Sequence, residues 1–578
     1  MESRRWWDEN KREVVGVTIA SLFFALLFCW PIVERLREPT LGDDWDQHLV
    51  FHWVPYQTVA KWKQVPLWNP YLCGGTPMLG NPQSRILTPF FLLHLVFGPL
   101  VAIRLEIILH LALLFAGSYV LSRVLGLGKL AATASALVSG GCSAYFLHVG
   151  VGHSWTLCYA YAPWVLAAVV VAIDRQRLAL AALAGLGLAL MANEGGIYPA
   201  PHSGVFVAIV CVGLAIGRKS LWPLKVLAVT AVFGALFATA KLLPTWELMR
   251  EHPRVTTPED YTSPELVQLA LFSLDQDKNR AISAQPGHWG WHEYGAYVGL
   301  IAFAFAALGA LLTRKRAAVW SVATLVLVAL SVGLIPEHEK LSAWWFVHKL
   351  PPFSSLHVPS RFLVLVAVSL AVLAGFGVQQ LSARRRGRFA CVVLLFLSSA
   401  VAWSNGPPNL KYVFAKPNET MAASPTFQQF FDHERRDQRM LAVARSNRGL
   451  LNCYDYSHLD TAAVASNHPT YKGEQYIVGE GEVHLTRWSP NVLEYDVNVP
   501  GPATLVVNQN FHAPWRLTEG AGTVASRAGL ISVQLPAGSQ HIVLEYVSRG
   551  FRIGVFMALL GLAGVIFLFR REKRLLRG

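Results

Sequence analysis

Between Gly42 and Trp53 the chain reads GDDWDQHLVFHW. Asp43, Asp44 and Asp46 place three carboxylates within four residues. A carboxylate within hydrogen-bond reach of a hydroxyl can take its proton as the oxygen attacks. Two carboxylates spaced i and i+2, here Asp44 and Asp46, can also approach one cation, and such ligands suit Mg²⁺ or Mn²⁺. Aspartate equally favours the cap and first turn of a helix, where its charge meets unpaired N–H groups. The residues that follow, Gln47 to Lys63, have amphipathic character and suit a helix lying at a membrane interface. By itself the cluster is more readily a helix start than a centre of chemistry.

A second set of ionisable residues falls at the ends of apolar runs: His148 and His153, Glu194 and His202, Lys241 and Glu247, Arg254, Glu293, and His357 with Arg361. Ionisable groups at membrane depth are costly, so each is a functional candidate. There is no HExxH or tight ligand pair among the histidines, so any metal is expected on Asp44 and Asp46 instead. Arg104 and Glu106 either pair with each other or line a cavity. The third feature is PLWNPYLCGGTPMLGNPQS, Pro66 to Ser84. Its prolines and glycines exclude a membrane helix and imply a rigid loop covering something at the membrane surface. Trp68 and Asn69 are its candidate substrate contacts.

These residues need a scaffold, and composition defines its class. The chain has 578 residues, 53% of them hydrophobic and 15% charged, with a mean hydropathy of +0.37. Soluble domains carry about 25% charged residues. Apolar runs begin at or near Val14, Val101, Leu130, Ser154, Leu178, Pro201, Leu221, Glu293, Ala317, Arg361, Arg388 and Gly550. On length they give about twelve spans of a hydrocarbon core, hence a polytopic α-helical membrane protein. The formal charge of +14 suggests nucleic acid only superficially. The basic residues sit in short clusters between apolar runs, as the positive-inside rule requires, so the expected surroundings are membrane lipids and no nucleic acid.

The same rule sets orientation. With the basic clusters inside, both termini are cytoplasmic, and the first loop, 34–100, lies wholly outside. Ile86–Phe97 then does not cross, and reads as an interfacial or re-entrant helix. Larger outside pieces are 34–100, 241–292, 336–360 and about 405–548. From about Met440 short alternating segments such as VLEYDVNV, separated by Gly/Pro turns, predict a small β-sandwich. The expected organisation is a membrane module over 1–404, an extracytoplasmic β-rich domain over 405–549, and a final helix with a basic tail over 550–578. The cysteines inside apolar runs read as small apolar residues, and the spacing of Cys73 and Cys453 suggests no bridge.

The motifs GDDWD, PLWNPYLCGGTPMLGNPQS, EGGIYP, KLLPTWE, EYGAYVG, HVPSRF and FHAPWRL resemble the YfhO-like family of bacterial membrane proteins, within the GT-C superfamily of glycosyltransferases. The resemblance spans most of the chain. It implies a GT-C-like fold in the bacterial inner membrane, with the active site facing outside. The implied reaction moves a sugar from a polyprenyl-phosphate donor to an outer glycan, lipid or protein acceptor, with inversion. An acid of the first outer loop acts as base, which falls on Asp44 or Asp46 with Asp43 as the spare. The leaving lipid phosphate needs cations, and Arg361 and Arg254 are the candidates, since arginine forms bidentate bonds to phosphate. His357 stands where an arginine is common in the family. His153, Glu194 and Glu293 are further expected substrate contacts. Two other readings compete: a transporter or flippase of a lipid-linked saccharide, and a non-catalytic envelope-assembly scaffold. No internal repeat of the transporter kind is evident.

Overall fold

The computed structural model describes residues 2–38, 40–41, 44–254, 256, 260–276, 289–417, 419–433, 439–452 and 459–575. Among them, eight helices are long and apolar enough to cross a membrane: Pro99–Val124, Lys129–Val151, Ser154–Asp174, Pro199–Arg218, Trp222–Glu251, Pro359–Leu381, Arg385–Leu410 and Arg549–Leu575. The remaining expected runs also fold as helices, within Glu2–Phe28, Leu178–Asn193, Leu300–Leu312 and Arg314–Ser331. Those at Leu178 and Leu300 are short, at 16 and 13 residues.

Pro359–Leu381 is the axis of the bundle, with 94% of its most apolar window enclosed, against 17% for Arg549–Leu575 at the periphery. Small residues let its neighbours close on it, as usual between helices in lipid. A Cβ on Gly309 would lie 2.1 Å from the carbonyl oxygen of Leu373. Leu300–Leu312 therefore touches the axis backbone to backbone. Trp222–Glu251 packs between Leu178–Asn193 and Arg549–Leu575.

The segment after the first helix departs from expectation in one respect. Trp45–Ala60 is helical, but most of its residues are buried, among them Trp45, Asp46, His48, Phe51 and Pro55. It packs against Pro99–Val124 and the small helix Met440–Arg445, so it is an internal element and not a helix lying at the interface. Within Ile86–Phe97 only Phe91–Phe97 is helical. Seven residues rise roughly 10 Å, far short of a crossing. Leu92, Val96 and Phe97 are exposed while Phe91 and His94 are buried.

The β-rich region holds two four-stranded antiparallel sheets. One runs Thr523–Arg527, Leu530–Leu535, Ala503–Asn510, Gln475–Val478; the other runs Trp515–Glu519, Gly538–Tyr546, Val492–Val499, Glu482–Trp488. Leu493, Val497, Leu505, Val533 and Leu544, from both sheets, share one core. Trp68 belongs to that core too. Its indole donates to Gln509 Oε1 at 2.8 Å and its ring packs on Trp515 and Tyr546. The Pro66–Ser84 loop is thus gripped by the sheets on one side. On the other, Lys241 Nζ donates to Ser84 Oγ at 2.5 Å, to the carbonyls of Ser84 (3.1 Å) and Leu79 (3.3 Å), and to that of Asn81. Gly75, at φ +104°, is needed for this fold-back, since a Cβ would meet the Trp68 ring at 2.5 Å. Cys73 in the same loop is disulfide-bonded, against expectation; its partner lies outside the described residues. Asn418 of the pattern Asn418-Glu419-Thr420, a glycosylation sequon by sequence alone, lies outside them as well.

Candidate functional site

Asp44 occupies the N-cap position of Trp45–Ala60, yet its side chain makes no capping hydrogen bond. It faces the turn between the helices Ser143–Val151 and Ser154–Asp174. Gly152 makes that approach possible: at φ +96°, a Cβ there would lie 2.8 Å from Asp44 Cβ. Asp44 Oδ2 is 3.7 Å from His153 Nε2. His153 Nδ1 is 2.9 Å from His148 Nδ1 and 4.0 Å from Glu293 Oε1. Only one proton fits between the two Nδ1 atoms, so one of them is an acceptor. Burial holds His153 well below the usual histidine value despite the neighbouring Glu293.

Glu293 ends a short helical turn, Trp291–Glu293, and Arg361 lies within another, Pro359–Phe362, at the head of the axis helix. Arg361 Nε and Nη2 donate to Glu293 Oε2 and Oε1 at 2.7 and 2.5 Å. The guanidinium lies over the rings of Trp155 (4.4 Å) and Tyr198 (4.0 Å). Burial alone would raise the Glu293 carboxyl; the Arg361 charge overrides it and holds the group well below the carboxylate range. Further out, Arg254 Nη2 donates to His357 Nε2 at 3.0 Å. Burial and the Arg361 charge push His357 down to about 4, so it is the neutral acceptor in that bond. Asp260, which the sequence reading passed over, sets this rim by accepting from Val358 N–H (2.8 Å) and Trp289 Nε1 (2.5 Å).

The predicted site residues therefore divide. Asp44, His153, Glu293 and Arg361 come together, with Arg254 and His357 paired at the rim. Asp43 lies outside the described residues. Asp46 is buried, and its carboxylate accepts from the backbone N–H groups of Met440 (2.7 Å) and Leu441 (3.1 Å). It caps a helix 395 residues along the chain, and so does not act as one half of a pair with Asp44. Burial lifts its carboxyl to about 6. Trp68 and Asn69 are fully buried; Trp68 serves the seam between loop and sheets, and Asn69 accepts from Tyr71 N–H within the loop at 3.0 Å, so neither faces a substrate. Arg361 is spent on Glu293 rather than held open for phosphate.

Glu194 also lies elsewhere, in a largely buried network that the sequence reading mostly missed. Its Oε2 is 2.9 Å from His110 Nε2 and its Oε1 accepts from Tyr161 (2.7 Å) and Thr88. Arg85 bridges to it at 3.9 Å and pairs with Glu106 at 2.8 Å. Glu106 also meets His94 Nε2 at 2.9 Å. Arg104 turns away, donating to the carbonyls of Leu100 (2.5 Å) and Glu38 (2.9 Å); it does not pair with Glu106. The only sequence signal was Glu106 and His110, spaced i and i+4 and hence on one helix face. Arg85 also donates to the Ser154 carbonyl at 2.5 Å, which ties this network to the residue next to His153.

Two groups of described residues bring ligand atoms close enough for a metal: His148, His153 and Glu293, and His52, His94 and Glu106. The first fits better, because Asp44 adjoins it and His153 is partly open to solvent. Two imidazoles and a carboxylate suit Mn²⁺ or Zn²⁺ better than Mg²⁺. The second is sealed, with His52, His94 and Glu106 all buried.

No family model matches the chain, and no curated protein does. Among solved structures it is similar to arabinofuranosyltransferase AftD from Mycobacteria, at 17% identity and a TM-score of 0.42 over 68% of this chain and 28% of that one. It is similar to the apo Archaeoglobus fulgidus oligosaccharyltransferase, at 13% identity and 0.42 over 76% and 64%. A third is the oligosaccharyltransferase AglB of Archaeoglobus fulgidus with an inhibitory peptide and a dolichol-phosphate, at 12% identity and 0.43 over 78% and 65%. The chain spans less than two thirds of each of these proteins. Likenesses at this level say nothing of activity.

Proposed function

We propose that this chain is a multi-pass membrane glycosyltransferase of GT-C type. It moves a sugar from a polyprenyl-phosphate donor to an acceptor on the outer face of a bacterial inner membrane, with both termini cytoplasmic. About twelve spans by length and a β-sandwich over the C-terminal sheets belong to this reading. The observation that carries it is one partly exposed carboxylate, Asp44, set 3.7 Å from His153 in a cluster whose other ionisable groups are more deeply buried. Asp44 accepts the proton of the acceptor hydroxyl as its oxygen attacks the anomeric carbon. The bond from that carbon to the phosphate oxygen breaks, and Arg254 with His357 takes the negative charge of the departing lipid phosphate. Arg361 acts at one remove, by fixing Glu293. A Mn²⁺ or Zn²⁺ held by His148, His153 and Glu293 would supply further positive charge for the phosphate.

The test is sugar transfer from synthetic polyprenyl-phosphate sugars by the purified protein in lipid nanodiscs. Asp44→Asn is expected to abolish transfer without loss of folded protein, while folded Asp46→Asn retains it. Full activity in Asp44→Asn defeats the assignment. A transporter reading draws on one observation, the sealed network of Arg85, Glu106 and Glu194 inside the helical bundle, since buried charge in membrane helices also marks ion pathways. Movement of labelled lipid-linked saccharide across vesicles, with no transfer, selects it.

A further inference from the structure

A second site lies in the β-rich region, where the edge strands Gln475–Val478 and Glu482–Trp488 of the two sheets diverge. They leave a cavity of about 340 Å³, closed over by Thr426 to Gln428. That is within the range of small-ligand sites, about 300–1,000 Å³.

Its walls combine two kinds of group. On one side Trp488 and Phe427 stack at 4.9 Å, and Trp62 backs Trp488 edge-on at 5.6 Å. The Trp488 Nε1–H is buried with no acceptor among the described residues, and an unmet buried donor is costly. On the other side is Glu474. Its Oε1 accepts from Gln429 N–H at 2.7 Å and from the Tyr471 hydroxyl at 2.8 Å. Among the described residues its Oε2 has one contact, Asn508 Nδ2 at 3.4 Å, so most of that oxygen's accepting capacity is left for something else. Gln428, Gln475 and Gln509 add amides, which both donate and accept.

Charge narrows the ligand. Among the described residues the lining has no lysine or arginine, and its one imidazole, His484, is exposed and 3.9 Å from Glu482 Oε2, which disfavours phosphate, sulfate or uronate. Burial lifts the Glu474 carboxyl to about 7, so it is a weak trap for ammonium groups. What remains is a neutral molecule with a flat apolar face and several hydroxyls. A sugar ring has that form: its C–H face lies on an aromatic ring, and its vicinal hydroxyls both donate and accept.

From this geometry we infer that the cavity between the Gln475–Val478 and Glu482–Trp488 edges binds a neutral saccharide, with Trp488 and Phe427 as platform and Glu474 Oε2 as hydroxyl acceptor. On the proposed transfer reading this is where the acceptor glycan is held; the binding itself rests only on the pocket.

The experiment uses the full-length protein in detergent, without donor lipid, so its outcome is independent of whether transfer is ever seen. Maltopentaose, mannopentaose and the β-1,4-linked N-acetylglucosamine tetramer are titrated against tryptophan fluorescence. A sulfated oligosaccharide and a Gly/Ser peptide serve as comparison probes. Saturable binding of at least one neutral probe at millimolar concentration or below is expected. It should weaken at least tenfold in Glu474→Gln and in Val483→Trp, which fills the cavity. The second variant decides the matter where the first fails to fold. No binding by any neutral probe, equal binding of the sulfated probe or the peptide, or undiminished binding by Val483→Trp would each overturn the inference.

Discussion

Arg85→Met is the sharpest perturbation of the architecture. Methionine keeps much of the length of arginine and removes its charge. The Arg85, Glu106 and Glu194 side chains have no solvent exposure at all. Arg85 is 2.8 Å from Glu106 and 3.9 Å from Glu194, so its loss leaves two carboxylates buried with only histidines for counter-charge. Removing one member of a buried pair costs about 3–5 kcal/mol, because the other charge stays in a low-dielectric site. The Ser154 carbonyl also loses its donor, a further loss of order 1 kcal/mol that does not simply add. The expected destabilisation is therefore about 3–5 kcal/mol. Arg85→Met/Glu106→Gln removes the nearer of the two stranded charges and should recover part of it. The measurement is reversible unfolding of the reconstituted protein by SDS in mixed micelles, followed by circular dichroism. A single variant within about 1 kcal/mol of the parent, or a double variant no more stable than the single, refutes the reasoning. Because Ser154 adjoins His153, transfer should fall as well in whatever fraction remains folded.

Three further outcomes follow. Asp46 binds its proton more tightly folded, at about 6 against 3.8 for the unconstrained group. Its contribution to stability is thus greatest below about pH 4 and is lost as pH rises through 6, by about 3 kcal/mol; the parent-minus-Asp46→Asn difference in unfolding free energy across that window measures it, and a flat difference rejects it. Trp68→Ala should cost about 3–5 kcal/mol and expose the β-rich region to limited proteolysis, with little change in helix content. Elemental analysis of the purified protein should find Mn²⁺ or Zn²⁺ if the cluster binds metal, and His148→Ala should release it while Asp46→Asn should not; metal retained by His148→Ala points to a different site.

The helices were legible because the length of an apolar run meets a fixed physical dimension, the thickness of a hydrocarbon core. Strands such as Val492–Val499 were legible for a similar reason, since one face is buried and the other wet. The site was legible in part. Asp44 and Asp46 are the same residue type two positions apart, and nothing local distinguishes them. What does is the distant helix Met440–Arg445, whose N–H groups take Asp46. Glu194 and Arg361 looked open because each ends an apolar run, but Thr88, His110 and Glu293, which occupy them, come from other segments. Trp68 read as a substrate contact because it stands in a Pro/Gly loop expected to cover something at the membrane surface. The sheets that cover it lie more than 400 residues further along the chain.

The grip on the Pro66–Ser84 loop from both sides has a consequence for how such a chain can change. Lys241 fastens it to a bundle helix, and Trp68 fastens it to the sheets. An exchange of the C-terminal region between homologues would leave the indole in a foreign socket unless the loop travelled with it. Loop and sheets should therefore be inherited, and engineered, as one cassette, with Lys241 as the fixture into which any such cassette must plug.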